Sequence, residues 1–464
     1  MNGGRPSPLS VNAVRYAWEE LLARAGISTP ETCPLRLRYG AMEFGGDSVQ
    51  ATVDVRCADE HAWTALLHAI RGELPEVELA DLFPDHRGAL HGRRPVLFAP
   101  PDAVLDEPVR LRGDTLTFEI DVIATTVFML SRWEETVSTV MDAHERFPSN
   151  ASVAVTHGFL DHPIVDEVAM ALRSWIQVLA HSTELRPLRM TVALSHDVDR
   201  LRSVRGLRGS VRRLVGDVVR RRSLAALSAS ALQLRREWRD QTSAPAWAGV
   251  LDLARRSRSV GLSGTFFFIA APQSDADGDY SVDSPTVTEL VRQLAAAGFE
   301  IGLHGGYHTQ CDGAELARQR RTLANVIPVR ISRQHYLRFR TPDTWRALVE
   351  AGIEIDTTVG YADQEGFRAG TCHAFRVFDI ERDEVLPLVE LPLIVMDVTL
   401  RSYRELSPAA AVSRTLELAE RCARVGGTFS LLWHNTSIGN QWPGWDDAYD
   451  RILAGLSLIQ RGDG

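Results

Sequence analysis

Thr191-Val-Ala-Leu-Ser195-His196-Asp197-Val198-Asp199 is the stretch on which the reading of this chain turns. Its apolar-rich start, Thr191 to Leu194, reads as a strand, and the strand runs out into two carboxylates on either side of Val198. The pattern recurs twice. Phe299 to Leu303, in which Phe299, Ile301 and Leu303 alternate with Glu300 and Gly302, leads into His304-Gly305-Gly306-Tyr307-His308, and Thr428 to Leu432 leads into Trp433-His434-Asn435. Each motif alone has an ordinary reading: an Asp after a strand can cap a helix, and two histidines four apart can share a helix face. Together they put two carboxylates, a His pair and a late His at three strand C-termini, the rim where parallel β/α barrels assemble their sites. Such an oxygen and nitrogen set suits a divalent ion.

Working outward, residues from about 186 alternate strand, loop and helix. Candidate strands are Thr191–Leu194, Gly264–Ile269, Phe299–Leu303, Pro328–Ile331, Ile353–Thr357, Val389–Met396 and Thr428–Leu432. Asp283 or Ser284 is placed to cap a helix through Leu290 to Ala297, Asp312 to cap Ala314–Ala324, and Pro342 or Asp343 to open Thr344–Glu350. Seven strands alternating with helices predict a parallel (β/α) barrel over residues 186–464. Residues 1–185 predict a smaller, non-catalytic α+β domain, with a helix over Val11–Ala25 and strands at Ser48–Val55 and Thr115–Asp121. Its densest segment, Asp121 to Glu135, and the following Asp142, His144, Glu145 and Arg146 read as a helix surface with solvated ion pairs rather than a second metal site.

Composition is that of a globular chain: 464 residues, 45% hydrophobic and 24% charged, with a net charge of −9 that argues against general nucleic-acid affinity. All 51 basic residues are arginine. The five cysteines form no C-x-x-C pair, which fits a reducing compartment, and no run of about 18 apolar residues could span a bilayer. A cytoplasmic location is expected. An arginine-rich helical insertion over 200–245 interrupts the barrel rhythm, with twelve arginines between Arg200 and Arg239 against Asp217 and Glu237. It reads as a solvated face packed on the barrel, the alternative being a phosphate- or membrane-surface contact through residues such as Arg220, Arg221 and Arg222.

On these motifs, residues 186–464 resemble a NodB-type polysaccharide deacetylase domain. The resemblance implies a distorted (β/α)7 barrel holding one divalent metal, zinc foremost, with Co2+, Mn2+ or Ni2+ as alternatives. It implies Asp197 as the base and Asp199 as a ligand, with the exchanged roles as the alternative, because the family's two aspartates are adjacent and here Val198 separates them. His304 and His308 would complete the ligand set. Arg340, in Arg340-Thr341-Pro342, would orient the catalytic aspartate, unless Arg338 does so, and His434 would be the general acid. Tyr307, His335, Arg338, Arg368 and Trp433 are candidates for contacting substrate, with Arg333, Asp356 and Tyr361 as further pocket-lining candidates and Trp345 as a further apolar wall. Ser131-Arg132-Trp133-Glu134-Glu135 and Arg146-Phe147-Pro148 resemble the accessory region that precedes a subset of the family.

The function so implied is hydrolysis of an N-acetyl group on an amino sugar, sugar nucleotide or glycolipid precursor, giving acetate and a free amine. The alternatives are another amide or ester hydrolase of the same barrel and a non-catalytic binding module in glycan assembly.

Overall fold

A computed structural model of the chain describes residues 9–27, 33–46, 49–69, 73–84, 90–202, 224–272, 274, 276–439 and 442–462. The first helix spans Val11–Ala25, the range expected, because both ends are capped: the Ser10 side chain accepts from Ala13 N–H, and Gly26, at φ 98°, folds its N–H back onto Leu22 and Ala23. Beside it lies a five-stranded sheet of β1 (Leu35–Tyr39), β2 (Met42–Phe44), β3 (Ala51–Val55), β6 (Val109–Arg112) and β7 (Thr115–Phe118), in the order β2-β1-β3-β7-β6. The short strands β4 (Glu76–Glu78) and β5 (Arg93–Pro95) pair separately.

The second half forms a nine-stranded sheet from β8 (Thr191–Val198), β9 (Gly264–Ile269), β10 (Glu300–Gly305), β11 (Ile331–Gln334), β12 (Ile355–Asp356), β13 (Phe375–Asp379), β14 (Glu384–Glu390), β15 (Val395–Met396) and β16 (Thr428–Leu432). The order is β13-β14-β12-β11-β10-β9-β8-β16-β15, all parallel except β13 on β14. Among the described residues no pairing joins the two edges, so the sheet is not closed by hydrogen bonds.

The expected strand Val389–Met396 is two strands at opposite ends of the sheet, β14 next to the edge strand β13 and β15 at the other edge. Glu390 ends β14 and Val395 begins β15, so the chain passes between the two ends of the sheet in four residues. Five Cα steps cover at most about 17 Å, which brings β14 and β15 close across the gap. Pro392 has no N–H to give a ladder. Its neighbours bond to both sides, Leu391 N–H to Asp356 O (2.8 Å) and Leu393 N–H to Val359 O (2.9 Å), then Ile394 N–H to Ser430 Oγ (2.9 Å). The segment is therefore a bridge across the gap.

Helices alternate with these strands, at Pro245–Ser259, Pro285–Ala296, Gly313–Ala324, Asp343–Glu350, Pro408–Val425 and Trp445–Arg461. Asp312 caps its helix on Glu315 N–H, whereas Ser284 makes no side-chain cap and Pro285 opens that helix. Of the arginine-rich insertion, Leu224–Arg239 is a helix; Arg220, Arg221 and Arg222 lie outside the described residues. None of the described helices is long and apolar enough to cross a membrane.

One apolar core runs through both halves. Tyr16 of the first helix stacks on Phe378 of β13 at 4.9 Å. Arg132, Glu134 and Glu135 are not the solvated pairs the sequence suggested. All three are buried: Arg132 binds Glu134 (2.6 Å) and Glu135 (2.8 Å), and Glu135 also takes Arg368 (2.6 Å) from the second half. Paired this closely, the charges offset the cost of leaving water; removing one partner would strand another.

Candidate active site

Side chains on a strand alternate between faces, so Ser195, Asp197 and Asp199 point one way and His196 the other. The single residue between the carboxylates is what lets both face the site. His196 turns to the helical side, against Phe266 (4.7 Å) and Tyr449, with Nδ1 on Trp433 O at 3.0 Å. Burial there pushes its imidazole down to about 4.

On the inner face Asp197 is buried, and Arg333 Nη1 reaches it at 3.0 Å and Ser195 Oγ at 2.8 Å. Arg333 is itself fixed by Nε on Thr357 O (3.1 Å) and by the Phe267 ring beneath it. The guanidinium that hydrogen-bonds Asp197 is thus Arg333, not Arg340 or Arg338. Arg340 Nε is buried without a hydrogen-bond partner, and Arg338 turns to Glu145, His144 O (2.9 Å) and Tyr307 O.

His304 projects from the end of β10, and its Nδ1 sits 2.9 Å from Arg333 O. That contact fixes the tautomer, leaving the Nε2 lone pair free. Nε2 lies 3.3 Å from Asp199 Oδ1, and His335 Nε2 approaches the same oxygen at 3.5 Å. Asp199, His304 and His335 form a group whose ligand atoms all lie within 4.8 Å of one another. Asp199 Oδ1 is buried with no hydrogen-bond partner. Ligand atoms about 2.0–2.1 Å from a tetrahedral ion stand roughly 3.3 Å apart, so the residues present fit a divalent metal held by one carboxylate and two imidazoles.

His308 is not in this group. Strand β10 ends at Gly305, where a Cβ would come within 2.5 Å of the Gln334 side chain, and the chain then turns away, with Gly306 N–H on Gln319 Oε1 (3.0 Å) and Tyr307 N–H on Asp277 Oδ1 (2.8 Å). His308 ends exposed. His335 takes its place because β11 runs parallel to β10 in the register His304↔Arg333, which delivers the residue two positions on to the same rim.

His434 follows β16. Its Nε2 lies 3.8 Å from Asp199 Oδ2 and its Nδ1 2.7 Å from Asp397 Oδ1, a carboxylate the sequence reading did not single out. Burial alone would lower the His434 pKa; Asp397 beside it outweighs that and raises it to about 10. At Asp199 burial acts upward, but His304 against the carboxyl and the imidazoles of His335 and His434 hold it well below the usual range.

These groups line a cleft of about 190 Å³ whose other walls are Leu337, Ala362, Met396, Val398 and Leu432, with Tyr336, Tyr403 and Arg146 at its sides. Of the residues expected to contact substrate, Tyr307 is half-buried and hydrogen-bonds His144 at 3.0 Å, outside the cleft lining. Trp433 and Trp345 are wholly buried core residues, and Arg368 is committed to Glu135 and stacks over Tyr361.

A family of unknown function, DUF7033, matches residues 78–181. No curated protein matches the chain. Among solved structures, a protein described as a polysaccharide deacetylase from Mycobacterium smegmatis is 20% identical over 59% of this chain and 86% of its own, with a TM-score of 0.38. Another so described, from Pseudomonas aeruginosa PAO1, is 15% identical over 57% and 84%, at a TM-score of 0.36. A Puue allantoinase is 13% identical over 57% and 83%, at a TM-score of 0.37.

Proposed function

We propose that this chain is a metal-dependent hydrolase that removes an N-acetyl group from an amino sugar or related glycan precursor, releasing acetate and a free amine. The observation that carries the reading is one cluster: Asp199, His304 and His335 gathered as ligands, with Asp197 bound by Arg333 and His434 bound by Asp397 beside them. Asp199, His304 and His335 would hold the metal, which supplies Lewis-acid polarisation of the acyl oxygen and a water of lowered pKa.

Asp197 then has a defined task. Its carboxylate accepts the proton of the attacking water as the oxygen bonds to the acyl carbon, while Arg333 keeps the carboxylate aimed. When the carbon–nitrogen bond breaks, the amine must leave protonated. His434, an imidazolium at neutral pH through Asp397, gives that proton from Nε2, the nitrogen facing the cluster. The apolar walls Leu337, Met396 and Leu432 exclude bulk water around these groups.

The test is metal analysis of the full-length protein, then a screen for acetate release from N-acetylated amino sugars, sugar nucleotides and oligosaccharides. A metal-loaded protein that releases acetate only from O-acetyl esters would replace the amide reading with an esterase. One that releases it from nothing would leave the binding-module alternative.

A further inference from the structure

The structure assigns to the loop Asp142–Arg146, which belongs to the segment matched by the family of unknown function, the task of positioning His335 as a metal ligand; this rests on the metal reading of the site. His335 is followed by two non-glycine residues in the left-handed region, Tyr336 at φ 60° and Leu337 at φ 53°. Side chains disfavour that conformation, so it persists only where surrounding contacts impose it.

Those contacts come from the N-terminal half. Arg146 Nη1 binds Tyr336 O at 2.7 Å, and in the opposite direction Arg338 returns to the loop, with Nε on His144 O at 2.9 Å and Nη2 on Glu145. The His144 ring packs on the Tyr336 ring at 4.9 Å and hydrogen-bonds Tyr307. The strained turn is thus braced on both sides of Leu337.

The brace is itself rigid. Asp142 Oδ1 accepts the N–H groups of His144 (2.8 Å) and Arg146 (2.9 Å), Oδ2 accepts Arg146 Nε (2.7 Å), and Asp142 N–H closes the loop on Arg146 O (2.8 Å). No residue of the loop belongs to the ligand group. Its effect is to deny the turn the extended backbone that would swing His335 off the rim.

The experiment measures Zn2+ affinity of the full-length protein by competition with a chromophoric chelator, alongside the visible spectrum of the Co2+-loaded form. Arg146→Ala should weaken binding about 10- to 100-fold, the usual effect of losing an outer partner of a ligand, and distort the Co2+ spectrum. Adding Tyr336→Asn, since asparagine tolerates the left-handed region, should recover part of the loss. A general packing defect would show no such rescue.

His144→Ala, at a half-exposed position, should give a smaller loss and serves if Arg146→Ala does not fold. Wild-type affinity in these variants, or a loss that Tyr336→Asn leaves untouched, would overturn the positioning role alone. A wild-type protein that binds no Zn2+ would instead overturn the reading of the site, and the positioning role with it.

Discussion

Asp397 holds His434 at two points: Oδ1 lies 2.7 Å from the ring Nδ1, and Oδ2 accepts the His434 backbone N–H at 2.8 Å. The carboxylate is fully buried, so it fixes both the place and the charge of the imidazole. Asp397→Asn should keep the metal and lower the rate by about a hundredfold or more, the usual scale of an impaired proton transfer. The His434 pKa should fall from about 10, moving the alkaline limb of the pH–rate profile to lower pH. An unmoved limb would remove His434 from the proton-donor role.

Asp197 and Asp199 separate by the same logic. Asp197→Asn should retain metal and lose about a hundredfold or more in rate, whereas Asp199→Asn should lose metal. Arg333→Lys, which cannot reproduce the contacts to Ser195, Asp197 and Thr357 together, should lower kcat with metal content unchanged. Metal loss in Asp197→Asn but not in Asp199→Asn would exchange the two roles.

His196 makes the fold sensitive to acid. Its folded-state pKa is about 4, against about 6.5 in an unfolded chain. Between these values the unfolded chain holds more protons, so its contribution is complete above about pH 6.5 and declines as pH falls towards 4, by an amount of order 3 kcal/mol. Urea unfolding at pH 7 and pH 4.5 should show a smaller acid loss in His196→Gln than in wild type. Equal losses would place the acid sensitivity elsewhere.

Arg368 is buried and ion-paired with Glu135, which predicts a structural role. Arg368→Ala leaves Glu135 with only Arg132 in a buried setting, and breaking such a pair costs about 3–5 kcal/mol. Thermal unfolding should show a lower midpoint, while KM of the protein that remains folded should hold. A raised KM at an unchanged midpoint would return Arg368 to the substrate-contact role.

What the sequence made legible followed from periodicity and caps. The first helix matched its expected range because Ser10 and Gly26 mark its ends, and β9 and β16 were short apolar-rich runs found at their expected ranges. His335 escaped for a physical reason. The strand before it was expected to end at Ile331, since Ser332, Arg333 and Gln334 are polar, yet all three are buried, and Arg333 and Gln334 are hydrogen-bonded in the interior. Extending β11 through them brings His335 to the rim. Asp397 was hidden similarly, behind the two-residue strand β15 and a bridge that read as one long strand. The ion pair between Glu135 and Arg368 joins residues 233 positions apart, a distance no local pattern spans.

Metal stoichiometry of three proteins tests the site most directly: wild type, His335→Ala and His308→Ala, each loaded with Zn2+, passed through a desalting column and assayed by elemental analysis. Wild type and His308→Ala should each carry one equivalent, and His335→Ala far less, because His335 and not His308 stands beside Asp199 and His304. Full occupancy in His335→Ala together with loss in His308→Ala would contradict this assignment.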